Sequence, residues 1–185
     1  MINVNDFKNG VTIQMDGNIY KVLEFQHVKP GKGGAFVRTK LRNLRTGAII
    51  DHTFTAGIKV ERAEVIKKEM QYLYSVDDTY VFMDNDTYEQ VEIKKSQIEE
   101  EIKFLKENMT VEVISYENEI LGINLPDKVE LVVVKSDPAV SGNTATTAMK
   151  DATLETGLLI KVPLFIKESD TVIVNTETGK YDSRK

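Results

Sequence analysis

Val28-Lys29-Pro30-Gly31-Lys32-Gly33-Gly34-Ala35 lies between two strand-like runs, Ile19 to Val28 and Ala35 to Leu44. The arrangement predicts a β-hairpin with Lys32 at its tip. Pro30 fixes its own φ and biases Lys29 toward extended geometry. Gly31, Gly33 and Gly34 admit backbone angles that other residues resist. One long cationic side chain is thus presented between neighbours that have none. Two readings are open at this point. The tip is a solubilising turn, or it presents an amine for modification or for insertion into an anionic cavity. A nucleotide-binding P-loop is excluded, because Gly-x-x-x-x-Gly-Lys-Ser/Thr is absent and no helical pattern follows.

The outgoing strand alternates with period two. Val37 and Leu41 fall on one face; Phe36, Arg38, Lys40 and Arg42 fall on the other. The first face suits a core and the second is a basic stripe. From Lys29 to Arg45 there are six basic residues and no acidic one. The chain of 185 residues has a net charge of −5, but that charge is unevenly spread. Residues 1–65 carry +4, residues 66–128 carry −8 and residues 129–185 carry −1. This asymmetry suggests one RNA-facing module on an acidic body.

Around the hairpin, residues 1–64 read as short strands and turns, a small all-β barrel. Residues 65–128 read as a second module. Met70–Tyr74 and Thr79–Met83 are strands joined at Asp77-Asp78. Ser96-Gln97-Ile98-Glu99 forms a capping-box pattern, which predicts one short helix with Ile98, Ile102 and Leu105 facing inward. Met109–Ile114 and Glu119–Ile123 then pair. Several strands with one short helix before the last two suit an OB-type barrel. Residues 129–185 form a third module, with strands at Val129–Val134, Leu158–Val162, Thr171–Asn175 and near Lys180-Tyr181. The polar run Ser136–Met149 between them reads as a long functional loop.

Other chemistry is scarce. With no cysteine there is no disulfide, thiolate metal site or Cys nucleophile, and a reducing compartment fits. His27 and His52 sit in strand patterns without metal-ligand partners and suit structural roles. Asp84-Asn85-Asp86 lacks the glycine and the third ligand of a calcium loop. No nucleophile elbow and no paired carboxylates in an apolar setting are visible. No catalytic residue, metal or cofactor is expected, and the chain reads as a binding protein rather than an enzyme. Met1–Asp6 lacks the features of a signal peptide, and no apolar run approaches the ~20 residues of a membrane helix. A cytoplasmic protein with no membrane partner is expected.

Lys29 to Leu44 resembles the arm of bacterial elongation factor P. The last third adds an independent likeness: Lys150-Asp151-Ala152 through Gly157, then Ile160, Val162-Pro163 and Ile166, then Val174-Asn175-Thr176, Tyr181 and Arg184. The resemblance covers the whole chain. It implies a KOW/SH3-like barrel (1–64) followed by two OB-like barrels (65–128 and 129–185) in an elongated L. It also implies a monomeric factor that binds the 70S ribosome between the peptidyl and exit sites. Such a factor stimulates peptide-bond formation at consecutive prolines.

By the same resemblance Lys32 is modified by a dedicated enzyme and points at the end of the peptidyl-tRNA, especially a prolyl one. Lys29, Gly31, Lys32, Gly33, Arg38, Lys40, Arg42 and Arg45 would meet tRNA and ribosomal RNA. A third-module loop, here Gly142-Asn143-Thr144, would meet mRNA at the exit site; Asn143 stands where the family has Asp. Ser169 likewise replaces the closing glycine of the family signature. Two other classes compete with this reading. One is a cofactor carrier with a modified hairpin lysine, although biotinyl and lipoyl tips have apolar neighbours. The other is a general single-stranded RNA-binding OB protein.

Overall fold

The computed structural model describes residues 1–138 and 148–185. Its strands form three sheets. The first contains β1 (Ile2–Asn3), β2 (Thr12–Met15), β3 (Asn18–Val28), β4 (Phe36–Asn43), β5 (Ile49–Thr55) and β6 (Lys59–Arg62), in the order β1-β6-β2-β3-β4-β5. The second contains β7 (Ile66–Val76), β8 (Thr79–Asp84), β9 (Gln90–Lys94), β10 (Thr110–Tyr116) and β11 (Glu119–Asn124), in the order β11-β10-β7-β8-β9. The third contains β12 (Lys128–Ser136), β13 (Met149–Leu154), β14 (Leu159–Pro163), β15 (Thr171–Asn175) and β16 (Lys180–Arg184), in the order β14-β13-β12-β15-β16. Among the described residues the protein is all-β apart from short 3₁₀ turns.

The chain divides into two compact units. One holds Met1–Lys68 with Val113–Gly122; the other holds Glu69–Glu112 with Ile123–Lys185. In the first unit, β4 alternates as the period-two pattern requires. Val37 and Leu41 are fully buried with Val4, Ile13 and Val22, while Arg38, Lys40 and Arg42 are exposed. Burying such an aliphatic side chain contributes about 1.5–3 kcal/mol. Asp16-Gly17 closes the β2–β3 hairpin as a two-residue loop, both residues at positive φ (51° and 77°), which matches strand twist. At the far end of β4, the Asn43 carboxamide oxygen accepts from the Arg45 and Thr46 amides, which turns the chain into β5.

The hairpin formed within 113–122 packs on the base of the first sheet. Leu121 and Ala63 join Ile19 in a small cluster, flanked by Leu44, Val65, Ile114 and Tyr116.

The second unit departs from the sequence reading at its expected helix. The helix expected from Ser96-Gln97-Ile98-Glu99 is replaced by two 3₁₀ turns, Lys95–Gln97 and Glu101–Lys103. Ser96 lies inside the first turn, and Lys94 takes the N-cap position with no side-chain cap bond. Ile98, at φ −134° and ψ 28°, breaks the helical path between the turns. A stretch this short gains little from helix propagation, so core packing decides its geometry. Ile98 and Leu105 are buried as expected, Ile102 is half-buried, and Phe104 inserts into the core of the third sheet. The Thr156 hydroxyl secures this segment by donating to the Lys103 carbonyl at 2.5 Å.

The third sheet encloses Leu131, Val133, Leu154, Val162, Ile166, Val172 and Val174. Strand β13 has no counterpart in the sequence reading, because Met149-Lys150-Asp151 has no clear apolar alternation. Ser169 takes φ 73°, the left-handed geometry of the glycine it replaces, while its amide donates to Val133. Left-handed geometry costs a non-glycine residue about 1–2 kcal/mol. Ser169→Gly is therefore expected to raise the thermal midpoint by a few degrees, and a melting curve measures it. An unchanged or lower midpoint would show that this turn stores no strain.

Candidate nucleic-acid interface

The arm is built by the β3–β4 pairing, whose last rung is Val28 opposite Phe36. The Ala56 amide donates to the Ala35 carbonyl and anchors the outgoing end of the loop. Lys29 through Gly34 are all exposed. Within this tip only Gly33, at φ 96°, needs a glycine conformation. A Cβ added at Gly31, Gly33 or Gly34 would meet nothing within 4 Å. The fold itself therefore requires one of these three glycines. The other two make the tip thin without relieving any clash in this chain.

Behind the tip, strand register sorts the stripe into rows. The row nearest the tip is Val28–Phe36–Thr55, followed by Gln26–Arg38–Thr53, then Glu24–Lys40–Asp51, then Lys21–Arg42–Ile49. The guanidinium of Arg38 lies over the Phe36 ring, 5.8 Å from its centroid, a cation–π interaction that draws it toward the tip. Arg42 stands beside Lys21. Lys40 is different, because a carboxylate lies directly opposite it on each side. An open groove of about 660 Å³ runs here, lined in part by Glu24, Gln26, Arg38, Lys40 and Asp51.

A β-bulge in β3, between the Val22 and Glu24 rungs, produces this arrangement. Leu23 is the extra residue. Without it, Lys21, Leu23 and Phe25 would share the outer face. With it, Phe25 packs against the core, and Glu24 and Gln26 turn outward. The sequence reading therefore missed Lys21, Glu24 and Asp51 as members of the face. Asp51 follows an apolar pair, Ile49-Ile50, and carries no signal of its own; only its pairing with Lys40 gives it meaning.

Arg45 does not join the stripe. Its Nε donates to both carboxylate oxygens of Glu119 at 3.0 and 3.2 Å, and Nη2 donates to Oε2 at 3.0 Å. Nη1 donates to the Gly17 carbonyl at 2.5 Å. The bond to Glu119 pushes the Arg45 pKa further up. The planar fork thus ties three turns together and uses its donors inside the protein.

The remaining candidates are structural or lie elsewhere. The Arg184 guanidinium lies 5.4 Å from the Phe165 centroid, and Tyr181 packs against the third core. His52 stands edge-on to Phe54 at 4.4 Å, and its carbonyl accepts from the buried Thr39 hydroxyl at 2.6 Å. His27 meets Phe25 at 5.6 Å. Asp84 accepts from the amides of Asp86 and Thr87, which accounts for its loop without a cation. Among the described residues, no group of three or more His, Asp or Glu is placed to hold a metal ion. None of the helices among them is long and apolar enough to cross a membrane. Gly142, Asn143 and Thr144 lie outside the described residues.

Three family models match the chain in order: the elongation factor P KOW-like domain over residues 3–60, the elongation factor P OB domain over 65–123 and the elongation factor P C-terminal domain over 129–184. The chain belongs to the elongation factor P family. The family matches account for all three sheets of this elongation factor P chain and make it a translation factor by family. Among solved structures, it is similar to the eukaryotic translation initiation factor 5A from Methanococcus jannaschii. The two are 27% identical with a TM-score of 0.55, over 67% of this chain and 93% of that one. A translation initiation factor 5A family protein from Naegleria fowleri, 17% identical, shares the fold with a TM-score of 0.50, over 67% of this chain and 96% of that one.

Proposed function

We propose that this chain binds the ribosome between the peptidyl and exit sites and stimulates peptide-bond formation at consecutive prolines. The observation that carries the reading is the tip: Lys32 is exposed between glycines that, apart from Gly33, the fold does not require. A requirement that the chain does not impose on itself points to a partner. A narrow RNA cavity imposes it, because a side chain at Gly31 or Gly34 would widen the arm.

In this reading Lys32, lengthened by a modifying enzyme, enters beside the acceptor end of peptidyl-tRNA and donates hydrogen bonds and charge to it. Proline is a constrained participant in peptide-bond formation. Holding the peptidyl-tRNA end in a reactive pose removes part of the entropic barrier, and such effects reach several kcal/mol. Lys29, Arg38 and Arg42 hold phosphates of the tRNA and ribosomal RNA, an interaction that weakens with salt. Gly142-Asn143-Thr144 meets mRNA at the exit site; Asn143 offers a donor and an acceptor where Asp offers only acceptors. The acidic second module keeps the body from clinging to RNA at random. The ribosome performs the chemistry, and this chain, a cytoplasmic monomer, contributes position.

The test is synthesis of a reporter with consecutive prolines in a translation system depleted of the endogenous factor. Protein from its native host is expected to restore that reporter and to leave a proline-free control unchanged. Equal stimulation of both reporters, or of neither, would overturn the reading. Intact mass of the same sample separates it from a cofactor carrier, since a biotinyl or lipoyl adduct would contradict it.

A further inference from the structure

We infer that the outer face of β3–β4–β5 grips RNA phosphate at two separate points, Arg38 and the Arg42–Lys21 pair, and that Glu24 and Asp51 withhold Lys40 from the backbone between them. The inference rests on the proposed function for the identity of the RNA. It goes further by assigning two roles to a stripe that reads in sequence as uniform.

The grounds are register and charge. Glu24 and Asp51 stand directly opposite Lys40 on its two flanking strands, and all three are exposed on one face. Directly opposed side chains in an antiparallel sheet have Cβ atoms about 4.5–5.5 Å apart, against roughly 7–8 Å for diagonal neighbours. Lys40 therefore stands between two carboxylates on the flanking strands, and its row carries one net negative charge. A phosphate brought to this row meets repulsion from both flanks.

The neighbouring rows differ. Arg38 has Gln26 and Thr53 opposite it, and its guanidinium is drawn over Phe36 and away from Glu24 and Asp51. Arg42 has Ile49 on one side and Lys21 on the other, which adds charge of the same sign. Arg42 lies four residue steps beyond Arg38 along the strand, about 14 Å at the usual rise. That span exceeds the step between adjacent phosphates in an RNA strand. The face accordingly favours a backbone that passes over the groove and touches down on either side. A continuous basic track would accept any polyanion; this pattern selects for spacing.

The experiment measures binding of the full-length protein to ribosomes carrying peptidyl-tRNA across a range of salt concentrations. Removing one cation that neutralises a phosphate lowers the slope of log K against log salt by about 0.7–0.9. Arg38→Gln and Arg42→Gln are each expected to lower it by that amount, while Lys40→Gln leaves it unchanged. Arg38→Lys, which keeps the charge, restores the slope. The double variant Glu24→Gln/Asp51→Asn frees Lys40, tightens binding and raises the slope by about 0.7–0.9. Melting curves confirm that these exposed substitutions leave the fold intact.

A slope for Lys40→Gln as low as that of Arg38→Gln overturns the inference, as does an unchanged slope in the double variant. The outcomes also separate this inference from the reading beneath it. Wild-type slopes in every variant would refute the two-point face while leaving polyproline stimulation standing. A wild-type protein that fails to bind such ribosomes refutes both.

Discussion

Lys32→Ala is expected to abolish stimulation of polyproline synthesis while leaving the melting curve where it was. The side chain is exposed at the tip, and its glycine neighbours give it nothing to pack against. Surface substitutions of that kind stay within about 0.5 kcal/mol of wild type. The functional effect is of a different order. If the amine helps to hold the peptidyl-tRNA end, its loss costs a positioning effect of several kcal/mol, and each 1.36 kcal/mol is about tenfold in rate. A fall of at least about tenfold on the proline reporter is expected, with the proline-free control unchanged. Lys32→Arg sharpens the result. It keeps a positive charge but removes the primary amine that a modifying enzyme would extend. Activity near wild type in Lys32→Arg would show that charge suffices; activity as low as Lys32→Ala would place the effect in the amine or its modification. A Lys32→Ala protein as active as wild type would falsify the arm mechanism.

Leu41→Ala is expected to produce the opposite pattern, a large loss of stability that drags activity down with it. Leu41 is fully buried on β4, directly opposite Val22 on β3 and Ile50 on β5. Truncating a buried leucine costs about 2–5 kcal/mol through lost transfer energy and the cavity left behind. Against a typical total of about 5–15 kcal/mol, that is a major share. The denaturation midpoint is expected to fall, and hydrogen exchange should rise first in the amides of β3, β4 and β5. Activity should return on cooling to a temperature at which the first unit is folded. Loss of activity without loss of stability would mean that Leu41 serves the arm in some way other than as its core. Together the two substitutions separate presentation from support: one residue acts only on the partner, the other only on the platform.

Much of this is legible in the chain before any coordinates. The alternation of Val37 and Leu41 against Arg38, Lys40 and Arg42 requires one buried and one solvated face in β4, because a strand has period two and water excludes the apolar side. The glycines around Lys32 mark a thin tip for the same local reason. Strand-rich stretches with β-branched residues separate three modules. The weaker expectations are those in which local signals compete with packing. Ser96 to Glu99 carries a helix-start pattern, yet Phe104, Leu105 and Ile98 are drawn into cores and leave only two 3₁₀ turns. Met149 to Leu154 lacks a local strand signal and becomes β13 because β12 and β14 flank it.

The arm returns a mixed answer. Its position, its thinness and its single presented amine are properties of consecutive residues, so the chain alone specifies them. Which cations face an RNA partner is not such a property. It depends on the extra residue Leu23, which turns Glu24 outward, and on a third strand that brings Asp51 to the other side of Lys40. It depends also on Glu119, 74 residues away, which engages the exposed Arg45 guanidinium within the protein's own ion pair. Electrostatics follows distance in space, and a stripe of like charges becomes uniform or divided only when the neighbouring strands are in place.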